Sequence, residues 1–134
     1  MPLRVDDPTV TDDALLWRRI QNQPGWVKAL PDWSIRPSSV AFLDNYTNEV
    51  SVHLAELTKP ENALQGRPDD GLTEIMTSCP RSLGHAIVRD PTEDDPSHAL
   101  ICPPTGTSKK NRKSDARKMA GQANWLVFPA SHRG

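Results

Sequence analysis

The sequence predicts an α+β fold: a small, mostly antiparallel sheet of two hairpins, with an N-terminal helix and a C-terminal helix packed on it. Apolar residues alternate with polar ones within residues 38–54 and again within residues 85–102, which is typical of half-buried strands. Near each end of the chain the apolar residues instead recur at helical spacing. A length of 134 residues suits one domain. We therefore expect residues 1–134 to form a single domain, with an irregular segment at residues 1–10 and a flexible basic loop at residues 104–113.

The N-terminal helix is predicted from the segment TDDALLWRRIQ, residues 11–21. Thr11 can cap a helix, and the two aspartates after it suit the positive N-terminal end of a helix dipole. Leu16 and Ile20 lie four residues apart, so they would share one face of the helix. Pro24 and the glycine that follows it would end the helix.

The first hairpin is predicted from SSVAFLDNYTNEVSVHL, residues 38–54. Apolar residues alternate on both sides of the turn sequence DNYTN. This alternation would place His53 on the face of the hairpin opposite the valines. In the segment before the hairpin, Trp26 and Trp33 are expected to cover one edge of the core.

The second hairpin is predicted to join the strands HAIVR and HALIC through an acidic loop bounded by prolines. We expect Arg89 to lie opposite His98, so that Ile87 faces Leu100. A final helix, capped by Ser114, would cover the sheet. Its apolar stripe is predicted to comprise Ala116, Met119, Ala120 and Ala123, with Trp125, Leu126 and Val127 finishing the helix.

The composition excludes several classes of protein. Lys and Arg number 16 and Asp and Glu number 17, so a net charge of -1 produces no general attraction to polyanions or anionic membranes. The apolar runs are far shorter than the roughly 20 residues that cross a bilayer. Cys79 and Cys102 do not form a disulfide framework, and no export signal is visible. These observations predict a cytoplasmic protein with reduced thiols.

Charge is concentrated in two segments of opposite sign. Residues 90–95, DPTEDD, hold four acids and no base, whereas residues 109–118, KKNRKSDARK, hold six bases and one acid. The first hypothesis for the basic segment is contact with another protein through an acidic surface. The second hypothesis is contact with nucleic acid, because lysines near a helix start can bind phosphate. It ranks second because the segment has no aromatic residue to stack on bases. The residues predicted to bind phosphate or a partner are Lys109, Lys110, Arg112, Lys113 and Arg117.

His98 is the strongest candidate for chemistry, and two interpretations are open for it. Histidine titrates near neutral pH, which suits an acid–base group. In this interpretation His98 would be held between Arg89 and a nearby carboxylate, Asp90 or Asp95. The chain would then be an enzyme acting on a phosphate-containing substrate such as RNA or a nucleotide. His53 would join that site, and Arg36 or Arg89 would neutralise the phosphate. Alternatively, His98 is a structural residue at a strand end that bonds to a loop carbonyl group.

No metal site or cofactor site is predicted. Histidine and cysteine do not occur at the spacings typical of zinc ligands. Cys79 lies beside a predicted helix start and close to Arg81, which are the surroundings of a reactive thiol. An ordinary first turn of a helix explains the same residues.

Three segments carry a resemblance to other sequences: RPSSVAF, SVHLAELTKPE and LGHAIVRDPTEDDPSHALI. In a Pro-Ser-Ser-x-Ala-Phe strand and a later Asp-Pro…Pro-x-His-Ala hairpin, the chain resembles a loose group of small uncharacterised bacterial proteins over residues 36–127. The resemblance implies a bacterial origin and an accessory role in a larger system, such as defence. It carries no active site, so it transfers no residue roles. With the two charged segments, it favours a binding or adaptor protein over an enzyme.

Overall fold

The structure, a computed structural model, describes residues 4–43 and 48–133. The strands in these residues are β1 (Leu15–Ile20), β2 (Val27–Ala29), β3 (Ile35–Pro37), β4 (Val50–Leu54), β5 (Gly71–Met76), β6 (Ala86–Arg89), β7 (His98–Cys102) and β8 (Asn124–Val127). The α-helices are α1 (Pro60–Ala63), α2 (Ser78–Ser82) and α3 (Lys109–Gln122). Six strands form an antiparallel sheet in the order β6-β7-β4-β1-β5-β8, and β2 pairs with β3. The predicted mixture of helices with a mostly antiparallel sheet is confirmed.

The predicted N-terminal helix is wrong, because its apolar residues form strand β1 inside the sheet. Leu16 and Ile20 are four residues apart, a spacing that places two side chains on one face of either a helix or a strand. One edge of β1 pairs with β5 along the whole length of β1. The other edge of β1 pairs with β4, where Leu54 lies opposite Leu16. Both Leu16 and Ile20 are completely buried. Hydrogen bonding on two edges and burial together outweigh local helix propensity.

The predicted first hairpin is wrong in its first half. The second half is β4, in which Val50 and Val52 are buried and His53 points to the opposite face. The first half contains a 3₁₀ helix, Ser39–Phe42, in place of a strand. Most of the predicted turn, residues 44–47, lies outside the described residues.

The second hairpin is formed by β6 and β7, but its register differs from the predicted one by a single residue. Arg89 lies opposite Ala99, and Ile87 lies opposite Ile101. The Asp90 N–H donates to the His98 carbonyl group at 2.9 Å, so Asp90, and not Arg89, lies opposite His98 where the loop begins. A shift of one residue changes which side chains share a face, and here it places Ile87 and Ile101 together in the core.

Helix α3 begins earlier than predicted. The expected flexible loop at residues 104–113 ends at Ser108, because Lys109 is already helical. Ser108, not Ser114, caps the helix, and its side chain accepts a hydrogen bond from the Asn111 N–H group. The cap satisfies one backbone donor that the first helical turn leaves unpaired.

The helix also ends earlier than predicted, at Gln122. Three members of the predicted stripe, Ala116, Met119 and Ala120, are buried in the same core cluster as the sheet residues. The segment expected to finish the helix is instead strand β8 at the edge of the sheet. Ladder hydrogen bonds to β5 therefore replace a last helical turn.

One face of the sheet is covered by α3, the Ser39–Phe42 helix and the β2–β3 hairpin. α3 contacts both the 3₁₀ helix and β3. The Trp125 indole N–H donates to the Ile35 carbonyl group at 3.0 Å, which ties β8 to β3. We call these elements the covering layer. The opposite face is covered in part, because Leu72 and Leu100 are buried on it. We call its remaining part, which carries the half-buried side chains of Trp17 and His53, the open face.

Candidate functional site

The open face brings two of the predicted site residues, His53 and His98, side by side. They lie directly opposite each other in β4 and β7. The adjacent pair is hydrogen-bonded, because the Leu54 N–H donates to the Ser97 carbonyl group at 2.8 Å. Antiparallel pairs alternate in type, so the two histidines occupy a non-hydrogen-bonded pair, in which Cα atoms are about 4.5 Å apart and side chains approach most closely.

Asp95 and Ser97 orient the ring of His53. Its Nδ1 atom lies 3.0 Å from Asp95 Oδ2 and 3.1 Å from Ser97 Oγ. The Ser97 hydroxyl and backbone N–H both donate to Asp95 Oδ1, so the hydroxyl hydrogen is not available to the ring. An ionised carboxylate only accepts hydrogen bonds, which assigns the ring hydrogen to Nδ1 and leaves a lone pair on Nε2.

Asp90 orients the ring of His98 in the same way. The His98 Nδ1 atom lies 2.9 Å from the Asp90 carbonyl oxygen and 3.1 Å from Asp90 Oδ2. Both oxygens are acceptors, so here too the hydrogen belongs to Nδ1. The His53 and His98 side chains are 21% and 22% exposed, and no described residue hydrogen-bonds to either Nε2 atom.

The electrostatics of the pair favour a neutral His53. Burial lowers the pKa of His53, the Asp95 charge opposes this change, and the positive charges of His98 and Arg19 add to it. Burial alone would raise the pKa of Asp95, but hydrogen bonds from Ser97 and the charge of His53 hold it below its usual value. Near neutral pH the contact is therefore a hydrogen bond from a neutral imidazole to a carboxylate, rather than a full ion pair.

The two arginines of the hypothesised enzyme site do not lie beside the histidine pair. Arg89 points to the other face of the sheet, where its Nε atom lies 3.5 Å from Asp7 Oδ2. Arg36 belongs to β3 in the covering layer, opposite Lys28. Neither guanidinium group is placed to neutralise a phosphate bound at the histidines.

Two further residues extend the histidine row across the open face. The register of the sheet places Trp17 beside His53, and Glu74 beside Trp17. The Trp17 indole N–H donates to Glu74 Oε2 at 3.0 Å. An indole and a carboxylate therefore lie next to the imidazoles on one continuous surface.

A second charged surface lies on α3. The exposed cations of this helix are Lys109, Lys110, Lys113, Arg117 and Lys118. None of them forms an ion pair with a described residue. Arg112 differs from the other predicted contact residues, because it is half-buried and donates to Asn48 Oδ1. We call the five exposed cations the cationic face.

The tip of the β2–β3 hairpin exposes a tryptophan. Trp33 is 96% exposed and has a φ of 71°, so the expectation that it covers the core is wrong, whereas Trp26 does pack against the core. Asp32 Oδ1 accepts hydrogen bonds from the N–H and hydroxyl groups of Ser34, which fix the turn. A left-handed conformation costs a residue with a Cβ atom about 1–2 kcal/mol.

The remaining buried titratable groups have structural contacts. His85 Nε2 lies 2.8 Å from Asp115 Oδ2. Burial raises the pKa of Cys79, and burial together with a hydrogen bond to Glu49 raises the pKa of Cys102 to about 12, so neither thiol is activated. In residues 4–43 and 48–133, no three His, Cys, Asp or Glu side chains gather as metal ligands. Within the same residues, no helix is long and apolar enough to span a bilayer.

Ser97, Trp17 and Glu74 are not among the site residues predicted from the sequence. The segment Asp95-Pro-Ser97 does contain a signal, because an aspartate two residues before a serine is typical of a side chain that hydrogen-bonds its own backbone. Trp17 and Glu74 become neighbours only when β1 is a strand. No protein family, curated protein or solved structure matches the chain.

Proposed function

We propose that the chain is a small cytoplasmic bacterial binding protein, an accessory subunit or adaptor of a larger assembly such as a defence system. The observation that carries this proposal is the cationic face of α3, whose members form no ion pair with any described residue. Lys109, Lys113 and Arg117 follow one another at intervals of four residues. Like charges at this spacing destabilise a helix by about 0.2–0.5 kcal/mol per pair, and an acidic partner would offset that cost.

Trp33 is a second observation that supports a binding function. The hairpin that carries it contacts α3 through β3, so Trp33 and the cationic face belong to the same covering layer. Tryptophan is enriched among the residues that contribute most to protein–protein affinity. An exposed, left-handed tryptophan lowers the stability of the isolated chain, and burial against a partner would compensate for it.

An acidic surface of another protein fits these features better than nucleic acid does. The chain has 16 basic and 17 acidic residues, and the acidic loop at residues 90–95 would repel a phosphate backbone. A protein with charges of both signs can complement both the acidic loop and the cationic face. The cationic face itself carries no aromatic side chain for base stacking.

The proposal is tested by co-purification from the native host with variants matched in charge. The test variant is Lys109→Glu with Lys113→Glu, and the control is Lys59→Glu with Arg67→Glu; all four positions are exposed. We expect wild type and control to retain one protein partner at low salt, and the test variant to lose it. High salt should also release the partner, because exposed charges are screened. A strictly monomeric wild-type protein at both salt concentrations would contradict the proposal, and nuclease-sensitive material in place of a protein would reassign the partner.

A second candidate function is an enzyme acting on RNA or a nucleotide, with His98 as the acid–base group. One observation favours it, the placement of His53 directly opposite His98. Its support is weaker because Arg36 and Arg89 lie elsewhere. It predicts that the purified chain cleaves an activated phosphodiester and that His98→Asn abolishes cleavage at an unchanged melting temperature. Failure of the wild-type chain to cleave would remove this candidate.

A further inference from the structure

We propose that His53 and His98 form a binding site for one late transition-metal ion of the Zn²⁺ class, which is bound by the Nε2 atom of each ring. Their cross-strand pairing places the two imidazoles on the same face at the shortest side-chain separation that a sheet offers. No described residue hydrogen-bonds to either Nε2 atom. The site is separate from the cationic face, and it shares Asp90 and Asp95 with the acidic loop.

The partners of the two Nδ1 atoms support this assignment. A metal-binding histidine almost always donates its other ring N–H to a carboxylate, a carbonyl group or water, which fixes the ring and makes the free nitrogen a better ligand. His53 does this with Asp95 at 3.0 Å, and His98 does it with both the carbonyl and the carboxylate of Asp90. The same arrangement therefore occurs on both members of one cross-strand pair.

The donor type determines the class of ion. Neutral imidazole nitrogen suits Zn²⁺, Cu²⁺ and Ni²⁺, whereas Mg²⁺ and Ca²⁺ prefer oxygen ligands. A metal must displace any proton on the ligand nitrogen.

The site would be an open one. Zn²⁺ is usually four-coordinate, with Zn–N distances of about 2.0–2.1 Å. The described residues supply no cluster of three ligand side chains, so the other positions would be taken by water or by a group of a bound molecule. Each histidine is about one-fifth exposed, so solvent reaches both side chains. We therefore expect the chain to fold without the metal, unlike a chain built around a closed structural site.

The test is calorimetric titration of the purified, metal-free chain with Zn²⁺ and, in parallel, with Mg²⁺. We expect one Zn²⁺ per chain and no binding of Mg²⁺. His53→Asn and His98→Asn should each weaken Zn²⁺ binding at least tenfold, because asparagine can keep a donor near the position of Nδ1 but has no atom at Nε2. The matched control is His132→Asn in the exposed 3₁₀ helix Ala130–His132, which should bind Zn²⁺ as the wild type does.

A second readout uses the wild-type chain alone and does not depend on whether a variant folds. In ¹⁵N NMR spectra of the imidazoles, Zn²⁺ should shift the Nε2 signals of His53 and His98 and leave those of His132 unchanged. The proposal is overturned if Zn²⁺ does not bind, if the double His53→Asn, His98→Asn variant binds it as tightly as the wild type, or if the shifted signals belong to other histidines.

Discussion

The ring of His53 links the histidine pair to pH. Burial lowers its pKa in the folded chain, whereas the unfolded chain takes up a proton on this ring near pH 6.5. In the window just below that pH the unfolded state therefore holds more protons. The free energy of unfolding should therefore fall as the pH is lowered through this window. Above about pH 6.5 the ring is neutral in both states, so the contribution of His53 to the free energy of unfolding should not change with pH.

This prediction is checked by urea unfolding at a series of pH values between about 5 and 8. His53→Asn should reduce the dependence on pH, and His132→Asn, at an exposed position, should leave it as in the wild type. A chain that becomes more stable as the pH falls below 6.5 would show that His53 is stabilised in its charged form. The same profile in wild type and His53→Asn would also contradict the assignment.

Trp33 provides a prediction in which stability and binding change in opposite directions. Its φ of 71° and its exposure of 96% mean that the folded chain gains little from the indole and bears the strain of its backbone. Asparagine tolerates the left-handed region. Trp33→Asn should therefore leave the free energy of unfolding unchanged or raise it by up to about 1 kcal/mol, while it weakens partner binding. A loss of stability in urea unfolding would show that the indole has a structural role.

The sequence indicates His98 and a neighbouring carboxylate, but not the complete site. Asp90 and Asp95 are both visible as candidates beside His98, and the structure assigns Asp90 to His98 and Asp95 to His53. This division depends on the pairing of β4 with β7, two strands that are distant in the chain. Local sequence patterns carry no information on which distant strands become neighbours, so the pairing of His53 with His98 could not be derived from them.

At the scale of elements, prediction succeeds where the pattern has only one interpretation. The β6–β7 hairpin has two apolar strands and a proline-bounded loop, and the structure contains it with a shift of one residue. The segment that becomes β1 has a spacing that fits both a helix and a strand, and its pairing with β4 and β5 decides the outcome. The prediction for the segment after α3 is wrong for the same reason. Its apolar residues are predicted to finish the helix, but they pair as β8 with the free edge of β5.

The packing of β5 against the C-terminal segment can be tested at Gly71. A Cβ atom there would lie 2.8 Å from the Pro129 ring and 2.9 Å from the Trp125 indole, closer than such atoms can approach. Gly71→Ala should therefore destabilise the chain by about 1–3 kcal/mol in urea unfolding. The control is Gly121→Ala in α3, where nothing beyond the adjacent residues and the helix's own backbone lies within 4 Å of the added Cβ. That change should stabilise the helix by up to about 1 kcal/mol, and equal effects at both positions would contradict this packing.

At the scale of the whole molecule, the two faces of the sheet have different chemistry. The covering layer presents cations and an exposed tryptophan, which suit contact with a large acidic surface. The open face presents two oriented imidazoles beside Trp17 and Glu74, which suit a small ligand or ion. The six-stranded sheet separates these surfaces, so substitutions on one face should leave the function of the other intact.

The most direct test of binding through α3 is site-specific photo-crosslinking in the native host. A benzophenone amino acid is placed at position 113, in the middle of the cationic face, and in a parallel strain at position 67, which is exposed outside α3. We expect one protein to crosslink from position 113 and not from position 67, and the crosslink to disappear when Lys109→Glu and Arg117→Glu are added. Crosslinking from neither position, or the same products from both, would contradict the proposal that this face binds a partner.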